Sequence, residues 1–325
     1  MEQSEKLKAL QSYFRLMSMK GAVEVYLAAV KCGVLQAFAN GPMTAAAIAE
    51  TSGLNLKAVT LLLRTLTAME LLEKEEAYYR PALILSFLAH SYQDLSKQYW
   101  DYLPTFLETG IPMQRMDDPV ESARHYKEQV HSLYWMMLAA AETVSQMIDF
   151  NVNNILDVGA GSAVWSLAIA RHRPACKVTA LDWPEVLPIT QQYADKEHIG
   201  ERFNTLSGNY HQVALAQASY ELIILANVIH LEDEDGMARL IKRLRPALKA
   251  GGKIIIIDVF HHQKHGELNA ALYEMGLALR TGAGQVHEPK RVEKCLVDAQ
   301  FEYETYRPIL APPYTMGIIM ANKGE

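Results

Sequence analysis

Cysteine is scarce and unpaired in this chain. Cys32, Cys176 and Cys295 are scattered and form no Cys-x-x-Cys motif. That excludes a disulfide framework and a cysteine zinc site, and points to idle thiols in a reducing compartment. Basic charge is also short: the 325 residues carry a net charge of −6 and a pI near 6.0, whereas nucleic-acid binding needs clustered Lys and Arg. Long apolar runs are missing; none approaches the roughly 20 residues of a membrane span. The start, from Met1 to Lys6, has neither the basic nor the apolar region of a signal peptide. There is no internal repeat and no low-complexity tract. The expectation is a soluble cytoplasmic protein with neither a nucleic-acid nor a membrane partner. Apolar residues, by contrast, make up half of the chain, enough for two domains with proper cores.

Residues 1–40 carry apolar positions at helical spacing, among them Tyr13, Leu16, Met17, Val23, Leu27 and Val30. A helix pair is expected there, and its uncovered apolar face suggests packing on a second copy. Residues 42–85 read as helix, helix and hairpin. Asn55 can cap the second helix, and Val59, Leu62, Leu63 and Leu66 give it one apolar stripe. The order is that of a winged helix. DNA binding is disfavoured on charge, because Lys57, Arg64, Lys74 and Arg80 face Glu50, Glu70, Glu73, Glu75 and Glu76 in the same segment. Residues 93–150 are helical again, with breaks near Gly110–Pro112 and Asp117–Pro119. The last of these helices is rich in Met and aromatics; Tyr134 and Met137 are candidate substrate contacts. Residues 149–154 form the expected hinge, dividing a helical winged-helix domain, 1–150, from a second domain, 151–325.

From residue 155 onward short apolar runs alternate with helical patterns. Strands are expected at 155–158, 178–181, 203–206, 222–226 and 253–258, their continuous apolar character fitting a mostly parallel sheet covered on both faces. Two final strands, 301–309 and 314–321, are expected to run antiparallel through Pro312 and Pro313. The first strand ends in Asp157 and leads through Gly159 and Gly161 into a helix that starts near Val164. Glycine lets the backbone approach a ligand closely, and a helix start offers unpaired N–H groups. A dinucleotide fold would have a third glycine where Val164 stands. Here the carboxylate of Asp157 precedes the turn instead, which suits a ligand bearing an amino group and a positive charge rather than a pyrophosphate.

Ligands of open parallel sheets sit at the carboxyl ends of the strands. Those ends hold Asp157–Gly159, Asp182–Pro184, Gly208–Tyr210, Asn227–His230 and Asp258. Asp182 lies 25 positions after Asp157, where a carboxylate can accept from both ribose hydroxyls. Trp183 can pack on an adenine face or locally. Together these make a nucleoside site without a phosphate site.

In these motifs, together with Leu248–Lys253 before the fifth strand, the chain resembles the class I S-adenosylmethionine-dependent methyltransferases. More narrowly it resembles the caffeic-acid-type and polyketide-tailoring O-methyltransferases, over about Val23 to Asn322. The resemblance implies an α/β fold: a Rossmann-like methyltransferase domain, its sheet mostly parallel with an antiparallel final strand, after a mainly α winged-helix dimerisation domain. It implies a homodimer that moves a methyl from S-adenosylmethionine to a hydroxyl of a small, flat, mostly apolar secondary metabolite. Gly159 and Gly161 would bend around the methionine part, Asp182 would hold the ribose, and Gly208, Asn209 and Tyr210 would flank the adenine, with Asp157 and Asn227 also in the cofactor site. His230 would be the general base and Asp258 the carboxylate that orients it. The family usually has Asp at position 209 and follows its histidine with Asp-Trp, where this chain has Leu231 and Glu232. Those departures leave room for a non-methylating relative catalysing a decarboxylation, hydroxylation or cyclisation; a ligand-sensing winged-helix regulator is a further alternative. Met275 and His287 are candidate substrate contacts. His261, His262 and His265 match no standard metal spacing, so no metal is expected.

Overall fold

The computed structural model of the protein describes residues 2–88, 93–261, 267–311 and 314–325. The chain divides into two compact units, Met1–Ser96 and Lys97–Glu325.

The first unit opens with a single 30-residue helix, α1 (Glu2–Lys31), rather than the expected pair. Nothing between its apolar clusters can break it: there is no proline, and Gly21 sits where a Cβ would meet nothing within 4 Å. Its first turns lie outside the unit's core, leaving Leu7, Leu10, Phe14 and Met17 exposed. Then come β1 (Met43–Thr44), α2 (Ala45–Ser52), α3 (Leu56–Ala68), β2 (Leu72–Glu75), β3 (Tyr78–Pro81) and α4 (Ile84–Leu88). The caps are those the sequence offers. The Thr44 side chain accepts from Ala47 N, and the Asn55 side chain from Ala58 N at 3.1 Å. The strands pair antiparallel in the order β1-β3-β2. Tyr26, Ile48, Leu63 and Leu66 fill the core beneath them. This is the winged helix expected from residues 42–85.

The second unit begins with α5 (Lys97–Thr109) and α6 (Pro119–Met147). Asp118 caps α6, accepting from Val120 N at 3.0 Å and Glu121 N at 3.3 Å, and Pro119 opens the helix where its missing N–H costs nothing. There follow β4 (Asn154–Val158), α7 (Val164–Arg171), β5 (Lys177–Asp182), α8 (Leu187–Lys196), β6 (Phe203–Ser207), β7 (Tyr220–Ala226), α9 (Glu234–Leu244), β8 (Leu248–Val259), α10 (Glu267–Ala278), α11 (Pro289–Asp298), β9 (Glu302–Ala311) and β10 (Tyr314–Asn322). The sheet order is β6-β5-β4-β7-β8-β10-β9. The first five strands are parallel, and β10 runs antiparallel to both β8 and β9. Pro312 and Pro313, expected to turn β9 into β10, lie outside the described residues.

Both faces of this sheet are covered, which is why its strands read as unbroken apolar runs. On one face, Val130, Met137, Ala141 and Val144 of α6 share a core with Leu167 and Ala168 of α7. On the other, Leu240 and Ile241 of α9 pack with Ile254 and Ile256 of β8. The chain leaves β4 on one side for β5 and returns on its other side for β7. At that reversal a crevice opens over the carboxyl ends of the strands. No described helix is long and apolar enough to cross a membrane.

Candidate functional site

The turn between β4 and α7 is held in a strained shape from several directions. Gly159 and Gly161 adopt φ of 65° and 54°, the left-handed region that costs a side chain about 1–2 kcal/mol. Gly159 N and Ala160 N both donate to Leu181 O at the end of β5. Gly161 N donates to Asp182 Oδ2 at 2.7 Å, and Thr190 Oγ1 donates to Gly161 O at 2.6 Å. Asp182 also accepts from Trp183 N through Oδ1 at 2.7 Å. One carboxylate thus ties the ends of β4 and β5 together. Burial pushes its pKa up to about 6 against the pull of those two amides.

These loops surround a cavity of about 280 Å3, at the lower edge of the size usual for small-molecule sites. The structure brings most of the expected residues to its wall. Gly159, Gly161, Asp182 and Trp183 line one part, Gly208, Asn209 and Tyr210 another, and Asn227 and Met137 complete the set. The indole N–H of Trp183 donates to Ser122 Oγ on α6 at 3.1 Å, so the ring is braced by that helix.

Other expected residues lie elsewhere. Asp157 is 1% exposed and faces the interior, where its Oδ2 accepts from Ser166 Oγ at 2.5 Å. Burial pushes its pKa up to about 7. It pins the start of α7 from beneath and is absent from the cavity wall. Tyr134 is buried on α6, its ring stacked on Tyr193 at 4.0 Å and its hydroxyl bonded to Glu197. Met275 is half-buried on α10 outside the wall. His287 is buried, and its Nε2 donates toward the carbonyls of Ile229 and Glu232 at 2.9 and 3.1 Å. It clasps the short 3-10 turn Ile229–Leu231 that carries His230.

His230 itself is 6% exposed and sits beside the wall. Its Nδ1 lies 2.7 Å from Oδ1 of the fully buried Asp258, and its backbone N donates to Asp258 Oδ2 at 3.3 Å. A carboxylate at Nδ1 holds the proton there and leaves Nε2 as the basic nitrogen. The hydroxyl of Tyr273 on α10 comes within 3.2 and 3.3 Å of the two ring nitrogens. Among the described residues no group of His, Cys, Asp or Glu could hold a metal; His262 and His265 lie outside them.

Some wall residues went unforeseen. Tyr126, Val130 and Leu133 of α6 form a largely apolar side, and Met116 and Asp117 come from the loop before it, whereas Ala283 belongs to the 282–288 turn, which the sequence suggests as a cap of the pocket. The α6 residues among them are signalled in the sequence only by helical spacing. Leu231 and Glu232 also line the cavity, with His211 beside them.

Residues 88–302 match the O-methyltransferase domain, and residues 14–89 match the O-methyltransferase dimerisation domain. The chain belongs to the O-methyltransferase family. Among curated relatives of this methyltransferase, human acetylserotonin O-methyltransferase is 25% identical over 86% of the chain and 88% of that protein. The L-tyrosine C(3)-methyltransferase of Streptomyces lavendulae is 26% identical over 58% of the chain, and the match spans 52% of that enzyme. Among solved structures, human N-acetylserotonin methyltransferase in complex with SAM superposes with a TM-score of 0.75 at 22% identity, over 96% of this chain and 98% of that one. An O-methyltransferase family protein from Burkholderia thailandensis gives 0.76 at 15% identity, over 97% and 98%. These two likenesses speak for the fold.

S-adenosylmethionine is the cofactor of the enzyme, and the cavity fits it. Gly161 has open space where a Cβ would stand, so the backbone can meet a ligand directly, and the wall offers carboxylates and, among the described residues, no Lys or Arg. The two glycines give a test that separates fold from site. A Cβ on Gly159 would stand 2.7 Å from Val228 Cγ2. Gly159→Ala is therefore expected to lose about 1–3 kcal/mol to overpacking beyond the backbone strain, visible as a lower Tm. Gly161→Ala bears the backbone strain alone, and should unfold at a higher temperature than Gly159→Ala. It should nonetheless bind S-adenosylmethionine at least about tenfold more weakly, since one displaced contact of 1.4 kcal/mol is tenfold. Calorimetry showing wild-type affinity in Gly161→Ala would remove this turn from the cofactor's cradle.

Proposed function

We propose that the enzyme methylates a hydroxyl of a small, flat, mostly apolar aromatic or polyketide-like metabolite, with His230 as general base. The observation that carries this reading is the buried His230–Asp258 pair, carried on the turn next to a cavity that Val130, Leu133 and Met137 of α6 also line. When bound, S-adenosylmethionine supplies an electrophilic sulfonium methyl. The chain's part is to hold the partners in line and to take one proton. Asp182 would accept the ribose hydroxyls, Gly159 and Gly161 would border the methionine part, and Trp183, Gly208, Asn209 and Tyr210 would surround the adenine, with Asn227 beside them. Met137, Tyr126, Val130 and Leu133 present the apolar surface on which a flat acceptor lies. His230 Nε2 would take the acceptor's hydroxyl proton while the oxygen displaces the sulfur from the methyl carbon, the S–CH3 electron pair leaving with S-adenosylhomocysteine. The resulting imidazolium is stabilised by the Asp258 carboxylate.

The acceptor class is supported by the family and by the wall, to which α6 contributes Val130, Leu133, Met137 and the ring of Tyr126. The relative that methylates a tyrosine ring carbon makes carbon acceptors the second reading, since a phenolate formed at His230 can also react at carbon. We infer further that the enzyme works as a homodimer through its first unit. The match to the dimerisation domain and the exposed Leu7, Leu10, Phe14 and Met17 of α1 support this. The test of function is transfer of a labelled methyl from S-adenosylmethionine to a panel of phenols, hydroxyindoles and hydroxyquinones. Label should appear in a product whose methyl is an ether for the first reading and carbon-bound for the second. Failure of the protein to bind S-adenosylmethionine by calorimetry would overturn both.

A further inference from the structure

Three carboxylates line the cavity, Asp117, Asp182 and Glu232. Asp117 is held by Arg115 through Nε and Nη2 at 2.9 and 3.1 Å and accepts from Gly282 N at 3.1 Å. Asp182 accepts the two backbone amides of Gly161 and Trp183. The third, Glu232, has no Lys or Arg partner among the described residues. Its Oε1 accepts from the Tyr210 hydroxyl at 2.7 Å and pairs with His211 Nε2 at 2.8 Å. Both of these bonds end on the same oxygen. Oε2 accepts from neither and lies against Gly236 on the first turn of α9, where a Cβ would stand 2.3 Å from it. Burial pushes the pKa of Glu232 up, but the hydrogen bonds from His211 and Tyr210 outweigh it, so the group is held ionised.

The neighbouring amide is differently employed. Asn209 Oδ1 accepts from His211 N at 2.8 Å, closing the local turn of the Gly208–His211 loop. Its oxygen is thus directed at the chain's own backbone. We propose that Glu232, rather than Asn209, recognises the exocyclic amine of the cofactor's adenine, an inference that rests on the placement of the adenine beside Gly208–Tyr210. A carboxylate fixed by two neighbours is a strong acceptor for an amine and repels the carbonyl oxygen that a hypoxanthine base carries at the same position. Glu232 is then a determinant of base specificity that reaches the loop from a different strand end.

Calorimetry with S-adenosylhomocysteine and S-inosylhomocysteine on wild type and Glu232→Gln tests this. Gln keeps an acceptor for Tyr210 and His211, and its amide can meet either base. The wild type should prefer the adenosyl compound by about 10-fold or more, the scale of one hydrogen bond to a charged group. Glu232→Gln should bring the two affinities within about threefold by weakening the adenosyl compound and sparing the inosyl one. An equal loss for both compounds would show that Glu232 only ties the loop, and an unchanged preference would show that another group reads the base; either overturns the proposal. Binding of neither compound by the wild type would instead overturn the cofactor placement on which it stands.

Discussion

His230→Ala is expected to lower kcat by about 10²–10⁴-fold, the usual contribution of a general base, with little change in affinity for S-adenosylmethionine. The separation follows from position. The ring lies beside the cavity wall and not in it, and its contacts are to Asp258, Tyr273 and, through the turn carbonyls, His287. Removing it leaves the turns after β4, β5 and β6 untouched. Asp258→Asn should lower kcat as well, because an amide facing Nδ1 no longer enforces the proton on that nitrogen and lets the ring present the wrong one. Alanine is the poorer choice at position 258. Asp258 also accepts from His230 N and Val259 N, so its removal would strand buried donors. The measurement is single-turnover methyl transfer to whichever acceptor the panel reveals, with calorimetry of the cofactor on the same samples. A His230→Ala enzyme that turns over at the wild-type rate would remove the general-base reading outright.

Much of this arrangement was legible in the sequence because it is written in the backbone. Glycines at positive φ, strands without polar interruption and a carboxylate at the end of the second strand follow from local rules, and the parallel run of the first five strands follows from their alternation with helices. What local rules do not say is which way a side chain turns. Asp157 stands beside Gly159 in the chain, yet its carboxyl points down to Ser166 and away from the cavity. His287, read as a substrate contact, faces the carbonyls of the turn under His230. Tyr134 and Met137 are three positions apart on one helix, but only Met137 reaches the wall, while Tyr134 joins Tyr193 and Glu197 on another face. A helix with apolar character over so much of its circumference does not reveal in advance which stripe meets the ligand. Glu232 is the clearest case. Its sequence marks it as a departure from the family, and only the fold brings it to Tyr210 and His211, more than twenty positions earlier in the chain.

Asp182→Ala is expected to weaken S-adenosylmethionine binding by about 100-fold or more. Two hydroxyls donating to one carboxylate are worth roughly 1.5–3 kcal/mol each, and the Gly161 amide loses its acceptor as well. The pH dependence gives a sharper test. Burial sets the pKa of Asp182 at about 6 in the free protein, and the carboxylate is the form that accepts hydroxyls. Below that value a proton must leave before the ligand binds, so affinity should fall towards tenfold per unit between pH 6 and 5, and level off above pH 7. Asp182→Asn should bind weakly and without this slope. The same proton acts oppositely on the fold. The folded value lies above the unfolded one of 3.8, so the folded chain holds a proton that the unfolded chain has released. Stability from this group is therefore greatest below pH 3.8 and declines as pH rises towards 6. Chemical unfolding and calorimetry, run on one set of buffers, should show stability of the free protein declining over the interval in which cofactor affinity climbs, with both slopes reduced in Asp182→Asn. An affinity flat from pH 5 to 7 in the wild type would mean that the ribose is held by another group.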